Sequence, residues 1–238
     1  MTAARASRSA VTVAGKMYRN VGRVGAALIG VAALAGASAN IASAQMLGLP
    51  VLQNAFANPG FTGAVNYGES GETLAYGVAG AWAPASARIQ VSGGVARFDP
   101  DSVADAVAYA ARVSVPVLSL TQTKSVGLAA FAGAGGARFD DEARALSLAV
   151  GAAIGYRWAA NRRALSVYAS PSYRWERYTP AEGARTVAGV VRLALGFDIA
   201  ITRSIGMTIG YELGKTVEQG EPGPTGGIFG AGLSYSFR

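Results

Sequence analysis

Bulky apolar side chains occupy every second position over long stretches of the chain. From Leu146 to Trp158 the even positions are apolar or aromatic, and the odd positions between them are mostly Ser, Ala and Gly. Successive side chains of a β-strand point to opposite faces, so this period of two indicates a strand with one apolar face, whereas a helix repeats about every 3.6 residues. The stretch also exceeds the usual strand length of about five or six residues. We therefore predict an unusually long strand here.

The same alternation recurs in nine further segments and predicts an all-β fold. The ten predicted strands are 61–67, 74–82, 88–98, 106–117, 126–135, 146–158, 165–176, 187–199, 205–213 and 228–237. Their second face carries mainly Gly, Ala and Ser, which suits a narrow lumen, while the bulky row suits lipid. A soluble barrel or sandwich would need a second face rich in charged side chains. We expect a single antiparallel transmembrane β-barrel of ten strands, or of eight if the weaker first two segments lie outside the wall.

The links between the predicted strands support the same fold. Short links follow the even-numbered strands at 84–86, 120–123, 159–162 and 202–203, and longer acidic links follow the odd-numbered strands at 68–72, 98–105, 139–144, 178–185 and 215–226. Aromatic residues gather near the strand ends, namely Tyr67, Trp82, Tyr156, Trp158, Tyr173, Trp175, Tyr178, Phe197, Tyr211 and Tyr235. Short turns on one rim, longer loops on the other and two aromatic bands are typical of transmembrane β-barrels.

Residues 1–44 have the layout of a secretory signal peptide. They contain five basic residues and no acid, an apolar run at 24–37 and an Ala-x-Ala cleavage site at 42–44, the order expected of such a signal. The apolar run is shorter than the roughly 20 residues that a membrane-spanning helix needs. We therefore predict a signal peptide at 1–44, an N-terminal periplasmic segment at 45–58 and an outer-membrane barrel at 59–238. Translation begins at Met1 or at Met17, which opens a signal of more ordinary length.

Charge and composition exclude several classes of function. The chain has 21 Lys and Arg against 14 Asp and Glu, net +7, but without the five basic residues of 1–44 the balance is 16 against 14, net +2. A nucleic-acid partner therefore has no electrostatic basis. The sequence contains no His and no Cys, so nucleophilic catalysis would need a Ser–Lys or carboxylate-only arrangement. Since Lys124 and Lys215 lie at predicted strand ends, we expect no enzyme activity, no catalytic residues and no cofactor.

Two acidic loops raise the alternative of a Ca²⁺ site. Asp99, Asp101 and Asp105 lie in one loop, and residues 140–142 are acidic in another. Carboxylate oxygens suit Ca²⁺, but neither loop has the spacing of an EF-hand. We predict solvated surface loops without a metal, and Ca²⁺ binding stays the alternative.

The last residues carry a further pattern, Gly232-x-x-Tyr235-x-Phe237. It resembles the C-terminal β-signal of Gram-negative outer-membrane β-barrel proteins, and with the alternation and the predicted signal peptide it places the chain near the broad class of small OmpA-, OmpX- or OmpW-type barrels. The resemblance implies recognition by the barrel-assembly machinery and insertion into the outer membrane, among its lipid and lipopolysaccharide. The usual pattern ends on the aromatic residue, whereas here Arg238 follows Phe237. The barrel enzymes of that membrane use a His, which this chain lacks.

Charged residues on the predicted inward face form the candidate functional site. Counting from the link at 202–203 places Glu212 near Leu193, and hence beside Arg192, with Arg174 on the diagonal. We predict one inward cluster in the outer half of the barrel and an ion pair in the periplasmic half. The cluster is Arg174, Glu176, Arg192 and Glu212, and the pair is Arg157 with Asp198. Such charges need partners because an isolated buried ion is costly.

We predict the first of two functions that fit this lumen, and the second is the alternative. The first is a narrow, charge-lined pore that passes small solutes passively, with the charges forming a constriction. The second is a closed barrel with a structural or surface-interaction role, because side chains just fill the interior of barrels near eight strands. The sequence specifies neither a solute nor an oligomeric state.

Overall fold

Ten β-strands dominate the computed structural model, which describes residues 54–56, 59–70, 73–86, 88–100, 105–118, 126–160, 163–216 and 227–237. The strands are β1 (Gly60–Ser70), β2 (Thr73–Ala83), β3 (Gln90–Pro100), β4 (Ala106–Leu118), β5 (Val126–Phe139), β6 (Arg144–Ala160), β7 (Arg163–Thr179), β8 (Thr186–Ala200), β9 (Ile205–Thr216) and β10 (Ile228–Phe237). All ten predicted strands are therefore confirmed. The predicted signal peptide lies outside the described residues.

The ten strands close into one antiparallel barrel. Each strand pairs with its neighbours in sequence, and β1 also pairs with β10, from Phe61 opposite Phe237 to Glu69 opposite Phe229. Closure leaves no strand edge with unpaired backbone groups, which a hydrocarbon environment would penalise heavily. The eight-stranded alternative is wrong, because β1 and β2 both belong to the wall. Within the described ranges, no helix is long and apolar enough to cross a membrane.

The outer surface of the barrel is apolar on every strand. Val65, Val78, Val150 and Leu233, taken from four different strands, are between 50% and 57% exposed. A soluble monomer rarely keeps a contiguous apolar surface of this extent in water. The physical environment that favours such a surface is the hydrocarbon core of a bilayer.

Aromatic pairs lie on the outer surface at both rims. We call the rim where β1 begins and β10 ends the terminal rim, and the opposite one the distal rim. The ring centroids of Phe61 and Phe237 are 5.6 Å apart at the terminal rim, and those of Tyr67 and Tyr76 are 5.6 Å apart at the distal rim. Tyr178 is not part of an outer band, because even positions of β7 point into the lumen. Two aromatic bands around an apolar belt are typical of the two membrane interfaces.

The links differ in charge more than in length. The distal links are 71–72, 101–105, 140–143, 180–185 and 217–227, and the terminal links are 84–89, 119–125, 161–162 and 201–204. The predicted contrast in length is weak, because residues assigned to the distal links instead extend the strands, as at the ends of β5 and β6. Every terminal link contains one basic residue and no acid, whereas every distal link contains at least one acid.

Large inward side chains are accommodated by glycines directly opposite them on the neighbouring strand. The ring of Tyr168 lies so close to Gly196 that a Cβ there would overlap it, and a Cβ on Gly214 would lie 3.2 Å from Nη1 of Arg192. Strands β10, β1 and β2 present mostly Gly, Ala and Ser to the lumen. The small residues of the second face therefore make room for a few large polar side chains.

Candidate functional site

Five charged side chains form a layer across the middle of the lumen, which we call the central charge layer. They are Arg112, Arg174, Glu176, Arg192 and Glu212, and each is at most 9% exposed. They come from β4, β7, β8 and β9, and all stand at even positions, which face inward on these strands. The strand period thus decides that they point inward, and the register of the ladder decides which of them meet.

Glu212 connects two arginines of the layer. Its Oε1 lies 2.9 Å from Nη2 of Arg174 and 3.4 Å from Nη1 of Arg192. Oε1 of Glu176 lies 3.6 Å from Nη2 of Arg192. The structure therefore brings the four residues of the predicted cluster into one network of ion pairs.

The register that produces this network differs by one residue from the predicted one. Glu212 lies opposite Ala194, not Leu193. The N–H of Ile201 donates to the carbonyl of Ile205 over 2.9 Å, so the turn contains one residue more than the predicted two-residue link implies. Parity decides the face of each residue in a ladder, and the observed register places Glu212 on the same face as Arg192.

Arg112 also belongs to the central charge layer, although it is not among the predicted site residues. Its Nε donates to Oγ of Ser114 over 3.0 Å, and its Cζ lies 3.6 Å from the centroid of the Phe131 ring. The alternation of β4 was the available signal, because the even positions from Ala106 onward are the buried ones. With Arg112 the layer holds three arginines against two glutamates. The ring contact is worth about 0.5–2 kcal/mol, less than the cost of burying an unpaired ion.

Apolar side chains fill the lumen between the central charge layer and the distal rim. Phe98 and Phe139 are 1% and 4% exposed, and the rings of Phe139 and Tyr178 meet edge to face at 6.1 Å. Ile228 and seven alanines from β2 to β6 and the link at 140–143 complete this cluster. The cluster separates the charged layer from the distal rim with an apolar barrier.

Residues 54–56 lie inside the lumen near the terminal rim. Asn54 and Ala55 are buried, and a Cβ on Gly127 or Gly155 would clash with the ring of Phe56. Nδ2 of Asn54 donates to Asp198 and, over 3.1 Å, to Oγ of Ser166. The segment predicted as periplasmic therefore contributes at least these three residues to the barrel interior.

Arg157 and Asp198 lie at this end of the lumen but do not form the predicted ion pair within the described part of the chain. Asp198 accepts hydrogen bonds from Asn54, Ser166 and Thr208. The guanidinium of Arg157 instead lies over the ring of Phe56, 4.4 Å from its centroid. Asp198 is thus satisfied by neutral donors of β7, β9 and residue 54, and the guanidinium of Arg157 is covered by a ring of the N-terminal segment that was predicted to lie in the periplasm.

The acidic loops have local partners in the structure. Asp105 pairs with Arg97, and Oδ1 of Asp141 accepts a hydrogen bond from the N–H of Ala143 over 3.0 Å. Asp101 lies outside the described residues. Among the residues that are described, no three side chains of the types that bind metals come together.

The residues of the predicted C-terminal signal divide between the two faces of β10. Tyr235 and Phe237 point outward, 48% and 53% exposed, and their ring centroids are 4.8 Å apart. Gly232 faces the lumen opposite Asn66 of β1. The aromatic side of the signal therefore lies on the outer surface beside the strand that closes the barrel.

Three arginines near the distal rim point outward without acidic partners among the described residues. Arg138 of β5 lies directly opposite Arg144 of β6, and Arg177 of β7 lies on the diagonal from Arg144. Like charges directly opposite each other destabilise a sheet unless something neutralises them. Arg97 also points outward near this rim, but it is paired with Asp105. We call Arg138, Arg144 and Arg177 the outer arginine triad.

Comparison with known proteins adds no closer assignment. No family model matches the sequence, and no curated protein matches it. Among solved structures, neisserial surface protein A shares 12% identity over 74% of this chain and 97% of that chain, with a TM-score of 0.38. The outer membrane protease OmpT from Escherichia coli shares 10% identity over 75% of this chain and 94% of that chain, with a TM-score of 0.41. The Acinetobacter baumannii outer membrane protein Omp33 shares 11% identity over 75% of this chain and 98% of that chain, with a TM-score of 0.33.

These likenesses are too weak to assign a family or an activity to the chain. The fold is a closed, ten-stranded antiparallel β-barrel with an apolar outer surface and with charged and aromatic side chains in its lumen. This confirms the barrel fold that the resemblance implies, and the family within the class is not resolved.

Proposed function

We propose that this chain is an integral outer-membrane β-barrel protein with a closed lumen, acting as a structural or surface-interaction barrel. The apolar outer surface and the two aromatic bands support the membrane location. The basic terminal links support an orientation with the terminal rim toward the periplasm, where anionic phospholipid headgroups attract Lys and Arg. The acidic distal links then face the cell exterior.

The burial of inward side chains at every level of the lumen is the observation that supports a closed barrel. Ala75 near the distal rim, Arg192 in the central charge layer and Ala153 near the terminal rim are 1%, 1% and 0% exposed. A water-filled channel would leave inward side chains accessible along its whole height. The apolar cluster, the ion-pair network and residues 54–56 each block one level.

A narrow pore is the second candidate, and one observation favours it. The block at the terminal rim comes partly from residues 54–56, which precede the first strand and are not part of the wall. A terminal segment can leave a lumen without breaking the sheet. On this view the central charge layer would act as a constriction that selects solutes by charge.

Conductance in planar bilayers separates the two candidates. For a closed barrel we expect no discrete channels from the purified mature protein, and none after Phe56→Ala, because the ion-pair network and the apolar cluster still block the lumen. Discrete channels in the wild-type protein whose selectivity changes with Arg192→Ala would overturn the closed state and establish the pore.

The outer arginine triad extends the proposal to the surrounding lipid. We propose that its three guanidinium groups bind the phosphate-bearing headgroups of lipopolysaccharide, because arginine forks match phosphate oxygens. The acidic residues of the link at 140–143 lie beyond the outer arginine triad toward solvent. Within the described residues, none of these acids forms an ion pair with an arginine of the triad. The arginines are therefore available to the interface.

Lipopolysaccharide retained through purification tests this interaction. The variant Arg138→Gln/Arg144→Gln/Arg177→Gln is expected to retain clearly less than the wild type in native mass spectra from mild detergent. Arg97→Gln is the matched control, since Arg97 points outward near the same rim but is neutralised by Asp105. Equal retention by all three proteins would refute the assignment.

The C-terminal signal is tested by comparing two aromatics on one strand. Phe237→Ala is expected to reduce the fraction of protein that reaches the outer membrane, because Phe237 belongs to the predicted assembly signal. Phe229→Ala removes a similar outward ring from the other end of β10, and we expect near-normal assembly. A similar loss for both variants would indicate that outer apolar area matters and not the signal.

A further inference from the structure

We propose that the barrel interior holds a small, chloride-sized anion between Arg112 and Arg174. A bound anion is compatible with a closed barrel and with a pore. In the central charge layer, three arginines face two glutamates. Both acidic side chains are already engaged by Arg174 and Arg192.

Arg112 carries the charge that lacks an acidic partner. Its Nε is used by Ser114 and its plane is covered by Phe131, but Nη2 is buried without a hydrogen-bond partner among the described residues. Arg112 itself is 4% exposed, so bulk water does not solvate it. An ion held this way is unfavourable unless a counter-charge is close by.

Arg174 presents further unused donors. Its Nη2 is paired with Glu212, while Nε and Nη1 are buried without partners. Three N–H-bearing nitrogens of the two arginines, one on β4 and one on β7, are therefore unsatisfied around the same cavity. Buried donors of this kind rarely stay empty in folded proteins.

A cavity joins the two arginines. It has a volume of about 20 Å³, and its lining includes Arg112, Phe131, Ser170, Ser172, Arg174 and Glu212. A space of roughly 10–15 Å³ is enough for one water, so a monatomic anion fits where a phosphate does not. The hydroxyl groups of Ser170 and Ser172 supply further donors. Glu212 opposes an anion, but its Oε1 faces two arginines.

Bromide is the probe for this site, because it replaces chloride and scatters X-rays anomalously. The full mature protein is refolded into detergent in sodium bromide or in sodium gluconate at equal ionic strength, so that the ion can enter before the lumen closes. We expect an anomalous peak in the cavity of the bromide crystals, within contact distance of both guanidinium groups. In solution we expect bromide, but not gluconate, to raise the urea midpoint of unfolding in a saturable way.

Two substitutions at one position make the test specific. Arg112→Met removes the unpaired charge, and the half-saturating bromide concentration should rise about tenfold or more, as the loss of one charge-assisted hydrogen bond implies. If the methionine variant fails to fold, Arg112→Gln replaces it. Folding is checked by the difference in gel mobility between heated and unheated protein. Arg157→Met, which removes an inward guanidinium outside the cavity, should keep the wild-type response.

Several results would overturn the inference. Water density without an anomalous peak in the wild-type cavity would show that the unused donors are merely hydrated. A peak with no saturable stabilisation in solution would mean binding at crystal concentration only. An unchanged bromide response in both Arg112 variants would show that the ion acts elsewhere.

Discussion

Replacing Glu212 by Gln is expected to destabilise the folded barrel by about 3–5 kcal/mol, the usual cost of breaking a buried ion pair. The substitution keeps the shape of the side chain and removes one charge. The central charge layer then holds three arginines against Glu176 alone. Because Arg174 and Arg192 are both buried, their mutual repulsion is no longer offset.

The distances give the size of the effect. Oε1 of Glu212 is 2.9 Å from Arg174 and 3.4 Å from Arg192, which at an effective dielectric constant of about 20 corresponds to roughly 6 and 5 kcal/mol of attraction. Burying the carboxylate costs several kcal/mol in return. The difference agrees with the expected loss. Glu176→Gln should cost less, because Glu176 makes one contact at 3.6 Å.

Urea unfolding of the protein folded in lipid vesicles, followed by tryptophan fluorescence, measures this loss. Glu182→Gln removes an exposed acid and should change the free energy of unfolding by less than about 0.5 kcal/mol. The double variant Arg174→Met/Glu212→Gln should recover part of the loss, since it restores the charge balance and keeps the pair of Arg192 with Glu176. A loss below about 1 kcal/mol for Glu212→Gln, as for a surface ion pair, would refute the network.

Three further predictions concern the wall and one turn. Gly196→Ala should lower the free energy of unfolding by about 1–3 kcal/mol, because the new Cβ would overlap the ring of Tyr168. Gly63→Ala is the control: no atom lies nearer than 3.9 Å to its new Cβ, so the variant should be close to neutral in the same unfolding assay. Glu142, with φ of 69°, is in the left-handed region, so Glu142→Gly should raise stability by about 1 kcal/mol; a loss would show that its side chain is needed. Val150→Arg, at mid-strand on the outer face, should cost about 2–4 kcal/mol in vesicles and Ile205→Arg at the rim about 0–1 kcal/mol; equal costs would contradict the membrane depth assigned here.

The wall of the barrel follows almost entirely from local sequence. Alternation from Leu146 to Trp158 identifies one strand and its two faces, because neighbouring side chains of a strand always point opposite ways. The same rule locates all ten strands and places the four predicted charges inside. It could also have located Arg112, which follows Ala106, Ala108 and Ala110 on the inward face of β4.

The register was less predictable than the strands. A two-residue turn at 202–203 places Glu212 opposite Leu193, whereas an additional residue in the turn places it opposite Ala194. Turn geometry depends on hydrogen bonds such as that from Ile201 to Ile205, which leave little trace in residue types. The predicted lengths of the distal links were too long for a related reason, since residues next to a turn can still pair in the ladder.

The sequence by itself determined that this chain forms an antiparallel barrel with an apolar outside and a small-residue inside, because the period of a strand is a property of adjacent residues. Only the tertiary structure decided what fills the lumen. Asn54 meets Asp198 from 144 positions away, and Arg112 meets a cavity that it shares with Arg174 of a distant strand. Contacts across a closed barrel depend on how the sheet curls and staggers, and no local pattern encodes that geometry.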